Sequence, residues 1–438
     1  MSMSRKSFGI VLPIALLSYF LILMDNSIVF TSSREIGADL GLDAVGMAWI
    51  SNAYTLTFGG FLLLSGRLSD LLGRKQIFQI GMAIFGIASL VVGIATDATM
   101  MIIGRAVQGI GSSIVAPATL AMMMDAYEGE QRSKAISYYG ATAGIGSIIG
   151  LLIGGALTSY ISWRAGFLIK MPLIILIMWL AYRYIPKGKV EKATIDYVGS
   201  ILSVIGLSSF IYGLTSKDYG VIFVIAGLIL LVIFYFYEKQ FSVPVMPLEL
   251  YKNKVRLGAY LVRLLFMMAL LPYWFLLPQQ LGAQYGYSAF ESGMAFIPLT
   301  VFQFGTALCI ANWTKRFGNG RVLLVGEIVL LAGLVWAALA DWTQGYWIAI
   351  AAPMCIIGIG SAMIVAPVTA AGIHKASNTI AGAASSLTNA MHQLGGPIGL
   401  SLIIMIATNF SISTYMMAGF TFVALLIVAV LIVPNESK

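Results

Sequence analysis

The sequence predicts an all-α, polytopic membrane protein with about fourteen transmembrane helices, an expectation that rests on three observations. Of the 438 residues, 59% are hydrophobic and only 10% charged, unlike the composition of a soluble domain. The apolar residues fall in runs of about 20, the length at which a helix rising ~1.5 Å per residue crosses the hydrocarbon. The basic residues gather in short segments between runs, where they mark topology. A net charge of +8 dispersed in this way argues against a nucleic-acid surface.

The first run, Phe8 to Phe30, is long enough to span and is followed by no small-residue cleavage site, so it is expected to stay as the first helix. Later runs centre near Thr55, Phe85, Ser112, Gly146, Ile175, Gly206, Ala226, Met268, Phe302, Leu331, Ile357, Gln393 and Leu425. An even number places both termini on one side. All but five of the 26 Lys and Arg residues fall on that side, which makes it cytoplasmic; Arg34, Arg105, Arg164, Lys170 and Lys217 fall toward the other. A long apolar run ending in a basic, Gly-containing turn occurs at Trp49 to Lys75 and again at Glu291 to Gly320, aligning Gly73 with Gly318. Such a repeat fits a two-half transporter. The expected organisation is a six-helix bundle over 1–186, a linker carrying two extra helices over 187–255, and a second six-helix bundle over 256–438.

Ser18, Asp25 and Ser32 recur every seven residues in the first run, as do Tyr19, Asn26 and Ser33, giving that helix a polar face. An acid at membrane depth is costly and marks an ion or substrate path. Asp25 is therefore either a group that takes up and releases a proton or an acid held by fixed internal hydrogen bonds. In the fourth run Arg105, Gln108 and Ser112 share a face, and a buried cation there needs a partner. Gly146, Gly150 and Gly154, four residues apart, form a face that admits a neighbouring backbone.

Several of these stretches resemble the major facilitator superfamily. Gly66, Asp70, Gly73, Arg74 and Lys75 match its loop signature between the second and third helices, a gating contact in that family. Leu23-Met24-Asp25-Asn26-Ser27-Ile28-Val29 resembles the first-helix signature of its fourteen-helix drug:proton antiporters, with Arg34 where a proline is usual. Arg105-Ala106-Val107-Gln108-Gly109 resembles the pattern assigned there to proton transfer, so Arg105 either sets the proton affinity of Asp25 or braces its helix. The region containing Gly146, Gly150, Gly154 and Gly155 resembles the antiporter motif, with Leu151 in the proline position. Ser162-Trp163-Arg164 through Pro172 matches a further family stretch in which Lys170 replaces the usual Asn.

The resemblance implies a proton-coupled exporter of hydrophobic, often cationic drugs such as dyes, quaternary ammonium compounds and fluoroquinolones. It would act by alternating access in a bacterial cytoplasmic membrane, as a monomer driven by the proton motive force without a cofactor. A transporter of one endogenous solute on the same fold is the nearest alternative, and a non-transporting membrane sensor a more distant one. Asn26, Gln108, Tyr273, Trp274, Gln280, Phe302, Gln303, Asn389 and His392 are the candidate substrate contacts, because aromatic and amide groups suit amphipathic cargo. His392 has a structural hydrogen-bonded reading as well. Glu327 is a possible further protonation site, although Glu327 and Arg263, near helix ends, would equally snorkel toward the interface. Cys309 and Cys355 read as packing residues, and neither they nor His374 and His392 suggest a metal centre.

Overall fold

The computed structural model describes residues 8–186, 196–216, 219–241, 244, 248–376 and 381–436, and among these no strand occurs. In chain order the long helices are α1 (Val11–Leu40), α2 (Ala44–Leu72), α3 (Arg74–Gly93), α4 (Ala98–Ala126), α5 (Gly129–Tyr160), α6 (Trp163–Tyr184) and α7 (Tyr197–Thr215). They continue with α8 (Gly220–Gln240), α9 (Lys254–Tyr285), α10 (Ala289–Phe317), α11 (Asn319–Leu339), α12 (Trp347–Gly372), α13 (Ala381–Ile406) and α14 (Phe410–Ile432). By their described residues, eleven are long and apolar enough to cross a membrane. The other three are α2, α5 and α13. The order of helices follows the expected fourteen, while the count of apolar spans among the described residues is eleven.

The helix ends follow from local chemistry. Asp43, Asp97 and Asn409 cap α2, α4 and α14 by accepting hydrogen bonds from Gly46, Met100 and Ile412 backbone N–H groups at 2.8 to 2.9 Å. Where a proline was expected at the end of α1, the chain has Arg34, and the helix simply runs on to a left-handed Gly41. The turns after α2 and α10 each rest on a glycine at positive φ, Gly73 at 81° and Gly318 at 86°. The sequence repeat thus recurs in backbone shape.

Helix pairing repeats as well. Within the first six helices the close pairs are α1 with α5, α2 with α4, α3 with α4, α1 with α4 and α3 with α6. The last six repeat this as α9 with α13, α10 with α12, α11 with α12, α9 with α12 and α11 with α14. Glycines make both sets possible. A Cβ on Gly150 would lie 2.8 Å from Met24 Cα of α1, and one on Gly111 2.6 Å from the Phe85 backbone nitrogen of α3. In the second set Gly360 presses on Leu330 of α11, and Gly399 on Met268 of α9. The tripeptide Gly-Ile-Gly supplies the contact in both α4 (109–111) and α12 (358–360), a repeat that the sequence reading passed over.

Two seams join the sets, α2 against α13 and α5 against α10. At the first, Gly59 abuts Gln393, and Asn52 donates to Ser401 Oγ at 3.0 Å. At the second, Gly155 meets the Ala289 carbonyl, Gly293 meets the Leu151 carbonyl, and the Phe290 N–H donates to Ser159 Oγ at 3.0 Å. The extra helices α7 and α8 form a hairpin, with α7 laid against α2 and α13 and held by a Trp49 Nε1 to Thr215 Oγ1 hydrogen bond of 3.1 Å.

Gly111→Val should cost roughly 1 to 3 kcal/mol, because the added branch overlaps backbone that cannot retreat. Thermal unfolding of the detergent-purified protein measures it. Gly305→Ala, whose methyl meets nothing within 4 Å, is the control and should unfold no earlier than wild type.

Candidate functional site

Asp25 of α1 lies between Arg105 of α4 and Lys170 of α6 and is ion-paired with both; the three residues are 0%, 0% and 1% exposed. Its Oδ1 also accepts from Gln108 Nε2 at 2.7 Å, and the same amide nitrogen reaches Ser89 Oγ of α3 at 2.8 Å. Arg105 donates through Nε to the Ile50 carbonyl of α2 at 3.0 Å and through Nη1 to Gln108 Oε1 at 2.7 Å, with its guanidinium 4.2 Å from the Tyr54 ring centroid. Lys170 sits between the Phe85 and Phe167 rings, at 5.3 and 4.9 Å. One acid faces two cations, leaving the group with a net charge of +1 in a water-excluded interior.

The geometry places four of the candidate residues. Arg105 and Lys170, counted toward the outer surface, are sealed inside the first bundle. Gln108, expected at the substrate, belongs to the ion cluster. Asp25 faces α4 and α6 of its own bundle and not the seam between bundles. Lys170, which stands where the family stretch usually has Asn, is a direct partner of Asp25, and the signal was a lysine inside the apolar stretch Leu168-Ile169-Lys170-Met171.

The remaining candidates divide. Tyr273 is buried in the second bundle beside Phe410, away from the seam. Trp274 does bridge the bundles, with its ring 6.1 Å from Phe30 of α1 and 5.9 Å from Phe296. Gln303 lies where α10 meets Gly358 of α12; Asn26, Gln280 and His392 are half-buried, and Phe302 and Asn389 exposed. Gly146, Gly150 and Gly154 face α1, whereas Gly155 faces α10. Arg263 and Glu327 do not snorkel, because they are only 6% and 0% exposed. Both Glu327 carboxylate oxygens lack a hydrogen-bond partner among the described residues. Cys309 is exposed on α10, so it is no packing residue.

In the loop, Arg74 pairs with Asp125 and donates to the Ala121 carbonyl at 2.8 Å, while Lys75 donates to the Tyr182 carbonyl at 2.7 Å. Both tie α3 to neighbours in its own bundle. Gly66 and Asp70 lie on the last turns of α2, and their side-chain surroundings, on which the expected gating contact rests, are outside the described residues.

Paired bundles of long apolar helices define a multi-pass membrane protein. The family model described as Major Facilitator Superfamily matches residues 15–400 and again 257–438, so the chain belongs to the major facilitator superfamily. It is similar to the puromycin resistance protein of Streptomyces alboniger, at 31% identity over 92% of this chain and 82% of that one. It is likewise similar to the cephamycin export protein of Amycolatopsis lactamdurans, at 29% identity over 90% and 84%. Among solved structures, a peptide-bound transporter of the POT family superposes with a TM-score of 0.76 at 14% identity over 98% of this chain and 96% of that one. A D-xylose-proton symporter does so with a TM-score of 0.72 at 14% identity over 98% of each.

Removing one member of the cluster should show the charge imbalance. Asp25→Asn leaves two buried cations uncompensated and should cost about 3 to 5 kcal/mol of stability. Lys170→Met leaves a neutral Asp25–Arg105 pair and should cost less. Thermal unfolding of the two variants in detergent gives the order, and adding Lys170→Met to Asp25→Asn should recover part of the loss.

Proposed function

We propose that the protein is a drug exporter that exchanges its cargo for protons across the cytoplasmic membrane of a bacterium by alternating access. The observation that carries the reading is the Asp25–Arg105–Lys170 cluster, an acid that links α1 to α4 and α6 where no water competes. The relatives named for antibiotic export and resistance support the direction and the drug-like cargo.

A proton can bias a conformational equilibrium only through groups that hold it differently in the two states. Protonated Asp25 loses its hold on both cations, which then repel each other, so the arrangement of α1 against α4 and α6 depends on the proton. Cargo bound between the bundles and a proton bound inside the first bundle thereby compete for one equilibrium without touching. Arg105, anchored to the Ile50 carbonyl and Gln108, is the fixed counter-charge, and Lys170 is the partner freed to move.

Asp25→Asn should abolish uphill export, because an amide hydrogen-bonds but carries no exchangeable proton in this range. Proteoliposomes loaded with a pH-sensitive dye and given a drug-like substrate such as the zwitterion norfloxacin provide the measurement. Wild type should move protons on substrate addition. Undiminished proton movement in the variant would remove Asp25 from the role.

A further inference from the structure

Arg263 of α9 is 6% exposed, yet no carboxylate pairs with it among the described residues. Its Nη1 makes one long hydrogen bond, 3.4 Å to the Val365 carbonyl of α12, and its Nε has no partner among the described residues. Two side chains lie within electrostatic reach, Tyr19 of α1 and His392 of α13. Tyr19 stacks on Tyr139 of α5 at 4.0 Å, and the His392 Nδ1 is also without a partner among the described residues. The group therefore draws on both bundles, with Tyr19 and Tyr139 from the first and Arg263 and His392 from the second. Tyr19, Tyr139 and His392 are half-buried and Asn389, one helical turn from His392, is exposed, so the site can be reached.

A buried guanidinium without an acid is expensive, and chains retain such groups where a ligand supplies the missing charge. Among the described residues, this cation meets the Val365 carbonyl, Tyr19 and His392 and no carboxylate. We infer that Arg263, with His392 and Tyr19, forms an anion site at the seam, and that the cargo is an amphipathic carboxylate or a zwitterion presenting its carboxylate there. Arg263 takes the carboxylate through its fork of N–H groups, His392 and the Tyr19 hydroxyl add donors, and the stacked Tyr19–Tyr139 pair offers a flat apolar wall. The cationic cargo expected from the family resemblance would meet repulsion at this point.

That the ligand is cargo rests on the exporter reading, but binding itself requires no gradient. Fluorescein and rhodamine 6G share a xanthene ring and differ in charge, so fluorescence polarisation with purified protein compares the two directly. Wild type should bind fluorescein more tightly than rhodamine 6G. Arg263→Gln should weaken fluorescein binding roughly ten- to a hundredfold while leaving rhodamine 6G binding unchanged or tighter. Arg263→Lys, which keeps the charge and loses the fork, should fall between. Preference of the wild type for the cation would overturn the inference without any variant, as would displacement of fluorescein by phosphatidylglycerol but not by 2-naphthoate. Anion binding without proton-driven uptake in proteoliposomes would instead overturn the exporter reading and leave the site standing. Uphill export of rhodamine 6G with no fluorescein binding would do the reverse.

Discussion

A charge placed inside a hydrocarbon-bounded bundle has to find its counter-charge within hydrogen-bond reach, and the first half of this protein is built around one such settlement. Asp25 belongs to α1, its cationic partners to α4 and α6, the amide that shares its oxygen reaches a hydroxyl of α3, and Arg105 ends on a carbonyl of α2. Five helices are thereby fixed against one another through a single carboxylate. The sixth, α5, joins by shape, with glycines that let its backbone lie on α1. Breaking the polar contact would loosen every helix of the bundle except that one, which suits it to act as a switch.

The second half has the same helix pairs and the same Gly-Ile-Gly contact, but no equivalent cluster among the described residues. Three residues before its Gly-Ile-Gly the first half has Ala106 and, on the buried face, Arg105 and Gln108; the corresponding places in α12 hold Met354 and Ile357, both fully buried. Packing holds this bundle together with side-chain to carbonyl hydrogen bonds such as Tyr260 to Gly372 and Ser411 to Ala338. It keeps instead a buried cation, Arg263, turned toward the other half, and a buried acid, Glu327, within its own core. The duplicated architecture has thus diverged chemically: a bundle whose buried charges are paired with one another and a bundle that buries Arg263 and Glu327 without an ion-pair partner among the described residues.

The proposed coupling draws on where these groups lie. The ion cluster is internal to the first bundle and the seam residues are shared between two, so cargo and proton would act on the same motion from different places. The hairpin of α7 and α8 lies on α2 and α13, leaving the α5–α10 seam to be closed by backbone contacts between Gly155, Leu151, Gly293 and Ala289. Those contacts tolerate no added side-chain atom, so that seam closes only when the two helices register closely.

Hydropathy, turn glycines and capping residues are properties of neighbouring positions, and they were legible without coordinates. The helix order, the close-packing glycine face of α5, the turns at Gly73 and Gly318 and the importance of Asp25 all follow from local pattern. Lys170 as the partner of Asp25, the membership of Gln108 in that cluster, the burial of Arg263 and the core position of Tyr273 do not. Each depends on which helix lies beside which and on its rotation about its own axis. Asp25 meets its cations across 80 and 145 residues of chain, and a rotation of one residue, about 100°, would turn any of these side chains to lipid or to another helix. Sequence alone determined that charges had to be buried in this membrane protein; only the lateral packing of helices decided which charges were neutralised and which, Arg263 and Glu327, were left without a counter-charge among the described residues.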